Sequence, residues 1–241
     1  MRLSRLYKKF VYDNSIIGAF INPFYISRSR LYKNVLAIAS SIKGGRILDV
    51  GCGLKPYRNI FQVDQYVGID VKISGHDHTS SNIDAYFDGL RLPFAAAKFD
   101  YVLATEVLEH VFEPSELLAE VSRVLKPDGL VILTIPFCWN EHEQPFDYAR
   151  YSGFGISYLL EKNGFSDVDI RKSSTFIETI FQLMSAYLFL CLFPKNKYVR
   201  VLLTPIIIMP INIAGIIFSL FLPDDKTLPL NLIITAKRNR L

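Results

Sequence analysis

Cysteine is scarce in this chain of 241 residues: the three cysteines, Cys52, Cys138 and Cys191, lie far apart and form no CxxC pair. This spacing argues against a disulfide framework or a zinc site and is typical of a protein that works in a reducing cytosol. A secretory signal is also missing, because the short apolar run 16–21 follows polar residues and no small-residue cleavage site comes after it. The length suits one α/β domain with extensions.

Negative charge is nearly absent from the first 43 residues, which carry eight Lys or Arg and a single acid, Asp13. The net charge of this segment is +7, so the remaining 198 residues sum to −3. Apolar residues at positions 3, 6, 7, 10 and 11, with basic residues between them, follow a helical period. We therefore predict a basic amphipathic helix at the start, a second helix over about 25–42, and an anionic partner, either lipid headgroups or nucleic acid.

Charge is missing altogether from 201–222, where fourteen of 22 residues are Val, Ile, Leu or Phe. Such a run is long and apolar enough to enter a bilayer. It could lie in one leaflet, form a spanning hairpin with 176–193, or be a buried lid or oligomer interface. We favour insertion into one leaflet, because Pro205 and Pro210 should break the helices and keep the basic loop 195–200 at headgroup level. A spanning hairpin would put that loop on the far side, against the positive-inside tendency.

From residue 46 onward, short β-branched or aromatic runs alternate with helical patterns. The predicted strands are 46–50, 66–70, 82–87, 99–104, 130–135, 168–171 and 232–236. A helix is predicted over 114–125, with Pro114 at its start and a Pro-Asp-Gly turn at 127–129 closing it. This alternation predicts an α/β fold with a mostly parallel, doubly wound sheet and ligands at the carboxyl ends of its strands.

The first predicted strand runs into a glycine-rich turn, ILDVGCG at 47–53. Glycine lets a ligand approach the backbone, and a helix N-terminus there supplies unpaired amides. Position 56, where an NAD site would have a third glycine, is Pro56. Acids end the next two strands: Asp70 could accept both hydroxyls of a ribose, and Asp88 could accept from an adenine amino group. A GxG turn alone is an ordinary tight turn, but the ordered set predicts a nucleoside-containing ligand.

The motifs, taken in order, resemble those of the class I S-adenosylmethionine (SAM)-dependent methyltransferases, especially the type-11-like branch that includes quinone-biosynthesis methyltransferases. They are ILDVGCG at 47–53, GID at 68–70, DGLRLPF at 88–94, FDYVLATEVLEHV at 99–111 and EVSRVLKPDGLVILTIP at 120–136. The resemblance covers about residues 44–170. It implies a Rossmann-like, seven-stranded sheet with an antiparallel last strand, here preceded by an apolar helical insertion.

The same resemblance implies a set of cofactor-binding residues. The methionine part of SAM would lie on the 49–53 turn, the ribose at the end of the second strand, and the adenine by 88–90. The methyl sulfonium would lie beside the end of the fourth strand. The predicted SAM contacts are Asp49, Gly51, Cys52, Gly53, Asp70, Val71, Asp88, Gly89, Leu90 and Thr105.

Methyl transfer from SAM is an in-line displacement, and a base is needed only for a weakly acidic acceptor. His110, His142 and Glu106 are the predicted catalytic residues, although His110 could merely fix its loop and the loop 140–151 could be a structural lid. Together with Glu109 they also resemble the ExxEH-plus-His arrangement of certain metal-dependent O-methyltransferases that act on RNA 2′-hydroxyls or catechols. A divalent cation there could lower the pKa of a hydroxyl. The ExxEH string also occurs in relatives without a metal, so metal use stays open at this point.

The sequence therefore predicts a SAM-dependent enzyme that O-methylates a membrane-embedded or lipid-linked acceptor, a quinone-type lipid or a lipid-carried saccharide, at the cytoplasmic face of a membrane. The alternatives are an RNA or soluble-metabolite methyltransferase and a non-catalytic SAM-binding membrane protein. Nucleic acid ranks lower because it does not explain 22 uncharged apolar residues. The predicted segments are a basic extension 1–43, a SAM-binding core 44–175, an apolar insertion 176–223 and a last strand within 224–241.

Overall fold

The computed structural model describes residues 16–72 and 82–240. The basic amphipathic helix predicted at the start of the chain lies outside these residues and stays a prediction. The chain divides into two compact units. We call Leu36–Arg171 with Leu232–Leu241 the sheet unit, and Met1–Val35 with Lys172–Asn231 the insertion unit. The four segments predicted from the sequence have other boundaries than these two units, and they stay a prediction.

Seven strands form one sheet in the order β3-β2-β1-β4-β5-β7-β6. The strands are β1 Arg46–Val50, β2 Gln65–Val71, β3 Ala85–Phe87, β4 Phe99–Thr105, β5 Leu125–Pro136, β6 Phe165–Lys172 and β7 Asn231–Arg238. Strands β3, β2, β1, β4 and β5 are parallel neighbours. Strand β7 runs against β6, since the amide of Asn239 bonds to the carbonyl of Gly164 while the amide of Ser173 bonds to that of Asn231. The predicted doubly wound sheet with an antiparallel last strand is confirmed.

Helices and short turns connect these strands. The helices are α1 Ile16–Ile21, α2 Tyr25–Ala39, α3 Pro114–Val124, α4 Gly153–Lys162, α5 Phe176–Tyr187, α6 Lys197–Leu203 and α7 Met209–Phe221. Single 3₁₀ turns cover Arg58–Ile60 and Leu108–His110. Helix α3 begins at Pro114 as predicted, where a missing amide hydrogen costs nothing. Its spacing buries one face, Leu117, Leu118, Val121 and Val124, in the core of the sheet unit.

The predicted end of α3 is wrong by one residue, and the predicted closing turn is part of a strand. Leu125 is the first residue of β5 and pairs with Phe99 of β4. The Pro-Asp-Gly segment continues that strand through a register shift between Phe99 and Tyr101, with Asp128 at φ 60°. The complete burial of Leu125 explains why a strand begins here. Pairing with β4 places this side chain in the core, although the turn residues that follow it predicted a loop.

The insertion unit is held together by polar groups inside apolar helices. Gln182 of α5 is buried and accepts from the amide of Ser27 at 3.1 Å while donating to the carbonyl of Pro23 at 2.9 Å. Asn212 of α7 is buried and accepts from the hydroxyl of Ser185 at 2.9 Å. Because each buried amide has protein partners, one face of α5 and one face of α7 are fixed against protein.

The prolines do not break the long apolar helix, which corrects the expectation from the sequence. A helical run continues over Lys197–Phe221, with a π-helical stretch at Thr204–Ile208. Pro205 and Pro210 each lie at the start of a new helical stretch, where a missing amide hydrogen is tolerated. The hydroxyl of Thr204 donates to the carbonyl of Arg200 at 2.7 Å and so supports the backbone beside the first proline. By length and composition this run could cross a membrane.

Candidate active site

The turn after β1 has the backbone that a close-approaching ligand requires. Gly51 has φ 67° and Gly53 has φ 47°, both in the left-handed region that favours glycine. A Cβ at position 51 would lie 2.5 Å from Cγ2 of Val107, so this glycine also permits tight packing. A Cβ at position 53 would meet no described atom within 4 Å. The turn is therefore packed on one side and open on the other.

Asp70, at the carboxyl end of β2, is tied to this turn. One carboxylate oxygen accepts from the amide of Gly53 at 2.9 Å, and the other accepts from the amide of Val71 at 2.8 Å. Each oxygen keeps a lone pair for a further donor. The side chain is thus held in one orientation at the open side of the turn, as a carboxylate that accepts two adjacent ribose hydroxyls would need to be.

Asp49, at the end of β1, carries an acceptor with no protein donor. Its side chain is buried, and Oδ2 accepts from the hydroxyl of Tyr66 at 2.5 Å. Oδ1 is also buried and has no hydrogen-bond partner in the part of the chain that the structure describes. Burial raises the pKa of this carboxyl from 3.8 to about 7. An orphaned buried acceptor next to an open glycine turn fits the ammonium group of a methionine moiety.

We expect Asp49→Asn to weaken SAM binding about tenfold while making the SAM-free protein less sensitive to pH. Because the folded-state pKa lies above the unfolded value, the favourable contribution of Asp49 to stability is present below pH about 4 and lost as pH rises through about 7. Thermal melts at pH 4, 5.5 and 7.5 should show that the melting temperature of the variant, relative to that of the wild type, rises as the pH rises. A difference that does not change with pH would contradict the raised pKa.

Asp88 shapes the turn after β3. Its Oδ1 accepts from the amides of Leu90 at 2.9 Å and Arg91 at 2.7 Å, and these bonds lower the pKa of the exposed carboxyl. Gly89 in between has φ 95°. The amide of Leu90 is therefore already paired with Asp88, and the predicted role of this turn beside an adenine stays a prediction.

Of the remaining predicted cofactor residues, Cys52 is buried behind the turn and Thr105 ends β4. Burial raises the pKa of the Cys52 thiol to about 12, so the thiol is protonated at neutral pH. Thr105 pairs with Thr134 of β5, and the next residue, Glu106, accepts from the hydroxyl of Thr134 at 2.8 Å. The carboxyl end of β4 is thereby fixed to that of β5.

The structure brings the two predicted histidines together. The rings of His110, on the turn after β4, and His142, in the loop after β5, lie edge to face with centroids 4.8 Å apart. Glu109 beside them is fully buried, and burial, reinforced by the charge of Glu106, raises the pKa of its carboxyl well above 4.5. Burial and the neighbouring His110 lower the pKa of His142. These groups form a polar cluster at the carboxyl edge of the sheet.

Several supporting residues were not predicted from the sequence. Asp147 accepts the amide of His142 at 2.9 Å and binds the guanidinium of Arg150 through both oxygens at 2.5 and 2.7 Å. Asp84 accepts from Lys55 at 2.6 Å and from the amide of Gly68 at 2.7 Å. The spacing of three residues between Asp147 and Arg150 could have predicted their ion pair from the sequence. The contacts of Asp84 join residues far apart in the chain, so no local pattern in the sequence predicts them.

A cleft of about 320 Å³ opens on the loop after β5. Its lining residues are Glu141, Gln144, Pro145 and Asp147. Asp147, which lines the cleft, accepts from the amide of His142 at 2.9 Å. A polar acceptor could therefore be held beside the histidine cluster by hydrogen-bonding side chains.

Comparison with known proteins agrees with this geometry. A family model described as a methyltransferase domain matches residues 48–133, from β1 to within β5. The chain is 29% identical to the O-methyltransferase rstn1 of Aspergillus nomiae over 175 residues, covering 62% of this chain and 78% of that protein. It is 27% identical to a ubiquinone biosynthesis O-methyltransferase of Rhodopseudomonas palustris over 151 residues, covering 54% of this chain and 58% of that protein. The chain thus spans little more than half of the second relative.

A solved structure shares the fold. Phosphoethanolamine N-methyltransferase 2 of Haemonchus contortus, in complex with SAM, superposes with a TM-score of 0.56 at 18% identity, covering 97% of this chain and 60% of that chain. At this identity the likeness concerns the fold alone.

The sheet order, the open glycine turn and the carboxylate at the end of β2 fit a SAM-dependent methyltransferase of the Rossmann-like class. The chain is similar to the class I SAM-dependent methyltransferases, and these comparisons support SAM as its cofactor. The resemblance predicted from the motifs is confirmed, whereas the individual site residues stay predictions that the geometry now locates.

Proposed function

We propose that this enzyme transfers the methyl group of SAM to a hydroxyl oxygen of a lipid-type acceptor, a quinone-type lipid or a lipid-carried saccharide, at the cytoplasmic face of a membrane. The observation that carries the choice of oxygen is the cluster of two imidazoles and a buried carboxyl group at the carboxyl ends of β4 and β5. Such groups can take or stabilise the charge that appears when a hydroxyl becomes a nucleophile. The relatives named above as O-methyltransferases support the same chemistry.

In this reaction the acceptor oxygen attacks the methyl carbon of SAM. The carbon–sulfur bond breaks, its electron pair stays on sulfur, and S-adenosylhomocysteine leaves. The hydroxyl proton passes to a basic group of the histidine cluster or to water. Because the sulfonium is already activated, most of the acceleration comes from holding oxygen, carbon and sulfur in line.

The choice of a lipid-type acceptor rests on the apolar surface of the insertion unit. Large apolar side chains are more than half exposed along the run from 187 to 221, among them Tyr187, Leu192, Val201, Leu202, Ile206, Leu220 and Phe221. Monomeric soluble proteins rarely expose apolar residues in such number on one segment. With the opposite face of α5 and α7 fixed to protein, insertion into one leaflet explains this surface better than a hairpin surrounded by lipid.

Positive charges at the start of the same helical run suit an anionic leaflet. Lys197 and Arg200 line a mostly apolar cavity of about 380 Å³ within the insertion unit, together with Ile21, Phe189, Val201 and Thr204. The guanidinium of Arg200 stacks over Phe189, with Cζ 4.8 Å from the ring centroid. Each basic residue near an anionic surface adds about 1 kcal/mol of attraction. An apolar cavity lined in part by two basic residues is complementary to an anionic amphiphile.

Methyl-labelled SAM tests the proposal directly. The purified enzyme is incubated with labelled SAM and a cell extract containing membranes, and the products are separated into organic, nucleic-acid and aqueous fractions. We expect label in the organic fraction, bound through an ether oxygen. Label confined to RNA or to aqueous metabolites would overturn the lipid-type acceptor, and label on carbon or nitrogen would overturn O-methylation. An absence of transfer despite SAM binding would indicate a non-catalytic protein.

A further inference from the structure

Glu109, His110 and His142 bring a carboxylate and two imidazoles to one point of the sheet unit. Glu109 and His110 lie on the turn Leu108–His110 after β4, and His142 lies in the loop after β5. One ligand atom of each residue lies within 4.8 Å of the other two. Imidazole nitrogens and carboxylate oxygens are common ligands of divalent metal ions, so the cluster has the composition of a cation site.

Both imidazoles are oriented by hydrogen bonds at Nδ1. Nδ1 of His110 lies 2.9 Å from the carbonyl oxygen of Phe146. Nδ1 of His142 lies 3.3 Å from the carbonyl oxygen of Asn140, its hydrogen-bond partner, and 3.1 Å from Oδ2 of Asp147. All these oxygens are acceptors, so each Nδ1 carries a hydrogen and each neutral ring presents the lone pair of Nε2. Nε2 of His110 has no hydrogen-bond partner among the described residues. Orientation of a histidine ligand by a carbonyl or carboxylate at its other nitrogen is typical of metal sites.

Glu109 supplies the observation that a merely structural cluster does not explain. Its side chain is completely buried, yet neither carboxylate oxygen has a hydrogen-bond partner in the described part of the chain. Arg150, whose charge acts on Glu109, is bound to both oxygens of Asp147. Protonation removes the charge of a buried carboxyl group but leaves its oxygens without a partner, and a bound cation would supply that partner.

Glu106 does not belong to this set. One of its oxygens accepts from the hydroxyl of Thr134 at 2.8 Å, and the residues whose ligand atoms lie within 4.8 Å of one another are Glu109, His110 and His142. The cluster therefore offers two nitrogens and one oxygen from three residues, whereas the sequence pattern contains four candidate residues.

We propose that Glu109, His110 and His142 bind one divalent transition-metal ion, with the remaining coordination positions left for the acceptor hydroxyl. Two imidazoles and one carboxylate favour Zn²⁺, Mn²⁺, Fe²⁺ or Co²⁺ over Mg²⁺, which prefers oxygen ligands and its own water shell. The metal's role in catalysis rests on the proposed O-methylation, but the binding site itself does not.

Bound metal would lower the pKa of a coordinated hydroxyl. An acceptor held there would lose its proton to water and would attack the SAM methyl carbon as an alkoxide or phenoxide, while the electron pair of the broken carbon–sulfur bond would stay on sulfur. The two histidines then orient the acceptor as ligands, and they do not themselves accept its proton. A nitrogen lone pair that binds a metal cannot also accept a proton. The metal-dependent mechanism and base catalysis by the histidines can therefore be distinguished by experiment.

Calorimetry and Co²⁺ absorption test the site without any assay of activity. The full chain is freed of metal with a chelator and titrated separately with Co²⁺, Zn²⁺, Mn²⁺ and Mg²⁺. We expect one equivalent of Co²⁺ to bind with visible absorption bands that indicate nitrogen ligands, and Mg²⁺ to bind at least about tenfold more weakly. Glu109→Gln, which keeps the shape of the buried side chain, should weaken Co²⁺ binding about 100-fold or more while SAM binding is unchanged.

Glu141→Gln is the matched control, since it removes the same charge from an exposed position in the same loop as His142 and should leave Co²⁺ binding unchanged. If Glu109→Gln does not fold, His142→Asn on the partly exposed loop gives the same comparison. The proposal is overturned if the wild type binds no stoichiometric metal, or if Glu109→Gln binds it as well as wild type does. Metal binding without methyl transfer would leave the site standing and would count against the proposed function alone.

Discussion

Asp70→Ala should lower the affinity for SAM by at least about 100-fold and remove methyl transfer with it. The Asp70 carboxylate is held by the amides of Gly53 and Val71, with both oxygens ready for further donors. Two charge-assisted hydrogen bonds to a ribose contribute about 1.5–3 kcal/mol each, and every 1.4 kcal/mol is a factor of ten. Isothermal titration with SAM and with S-adenosylhomocysteine measures the loss.

Asp100→Ala is the control for this experiment. Asp100 also accepts a backbone amide, that of Arg46 at 2.8 Å, but it lies near the amino end of β4, at the opposite edge of the sheet. Its replacement should leave SAM affinity within about twofold. Equal losses in the two variants would mean that removing either carboxylate disturbs the sheet, and unchanged affinity in Asp70→Ala would contradict the placement of the ribose.

Four serine substitutions in the insertion unit should release the enzyme from membranes. Leu202, Ile206, Leu220 and Phe221 are each more than 60% exposed, so changing them to serine removes little packing within the protein. Burial of one such side chain is worth roughly 1.5–3 kcal/mol, so even partial immersion of four gives a loss of about 100-fold or more in binding to vesicles. Co-flotation with vesicles of phosphatidylglycerol and phosphatidylcholine measures it.

A triple variant of the sheet unit, Phe112→Ser, Phe154→Ser and Tyr158→Ser, removes comparably exposed aromatic surface and should bind vesicles like the wild type. The pair Lys197→Gln and Arg200→Gln should lower binding only to anionic vesicles, by about tenfold or more for two charges. Wild-type vesicle binding by the quadruple variant would exclude the leaflet proposal. If neither the wild type nor the quadruple variant binds vesicles, and only the variant fails to self-associate, the apolar surface is a contact between copies of this chain.

The boundaries of the elements show how far local patterns reach. Strand β1 and the start of α3 match the predicted positions, because strand alternation and a proline at the first helical position are properties of adjacent residues. Leu125 was predicted as helical because its spacing continues the apolar face of α3 up to the turn residues at 127–129. Pairing with Phe99, which is 26 residues earlier, decided otherwise. The prolines at 205 and 210 likewise predicted breaks that the continuous run over Lys197–Phe221 does not have.

The sequence alone determined the class of this protein, because the glycine turn, the acids at successive strand ends and their order are local features that one pass along the chain can find. Only the tertiary structure decided which of these polar residues meet. His110 and His142 are separated by a whole helix and strand, and their rings touch because β4 and β5 are parallel neighbours. The hydroxyl of Tyr66 that reaches Asp49 is likewise supplied by the next strand, β2. Burial of Glu109 without a partner could not be predicted from its neighbours, since the free energy of a buried charge depends on everything packed around it.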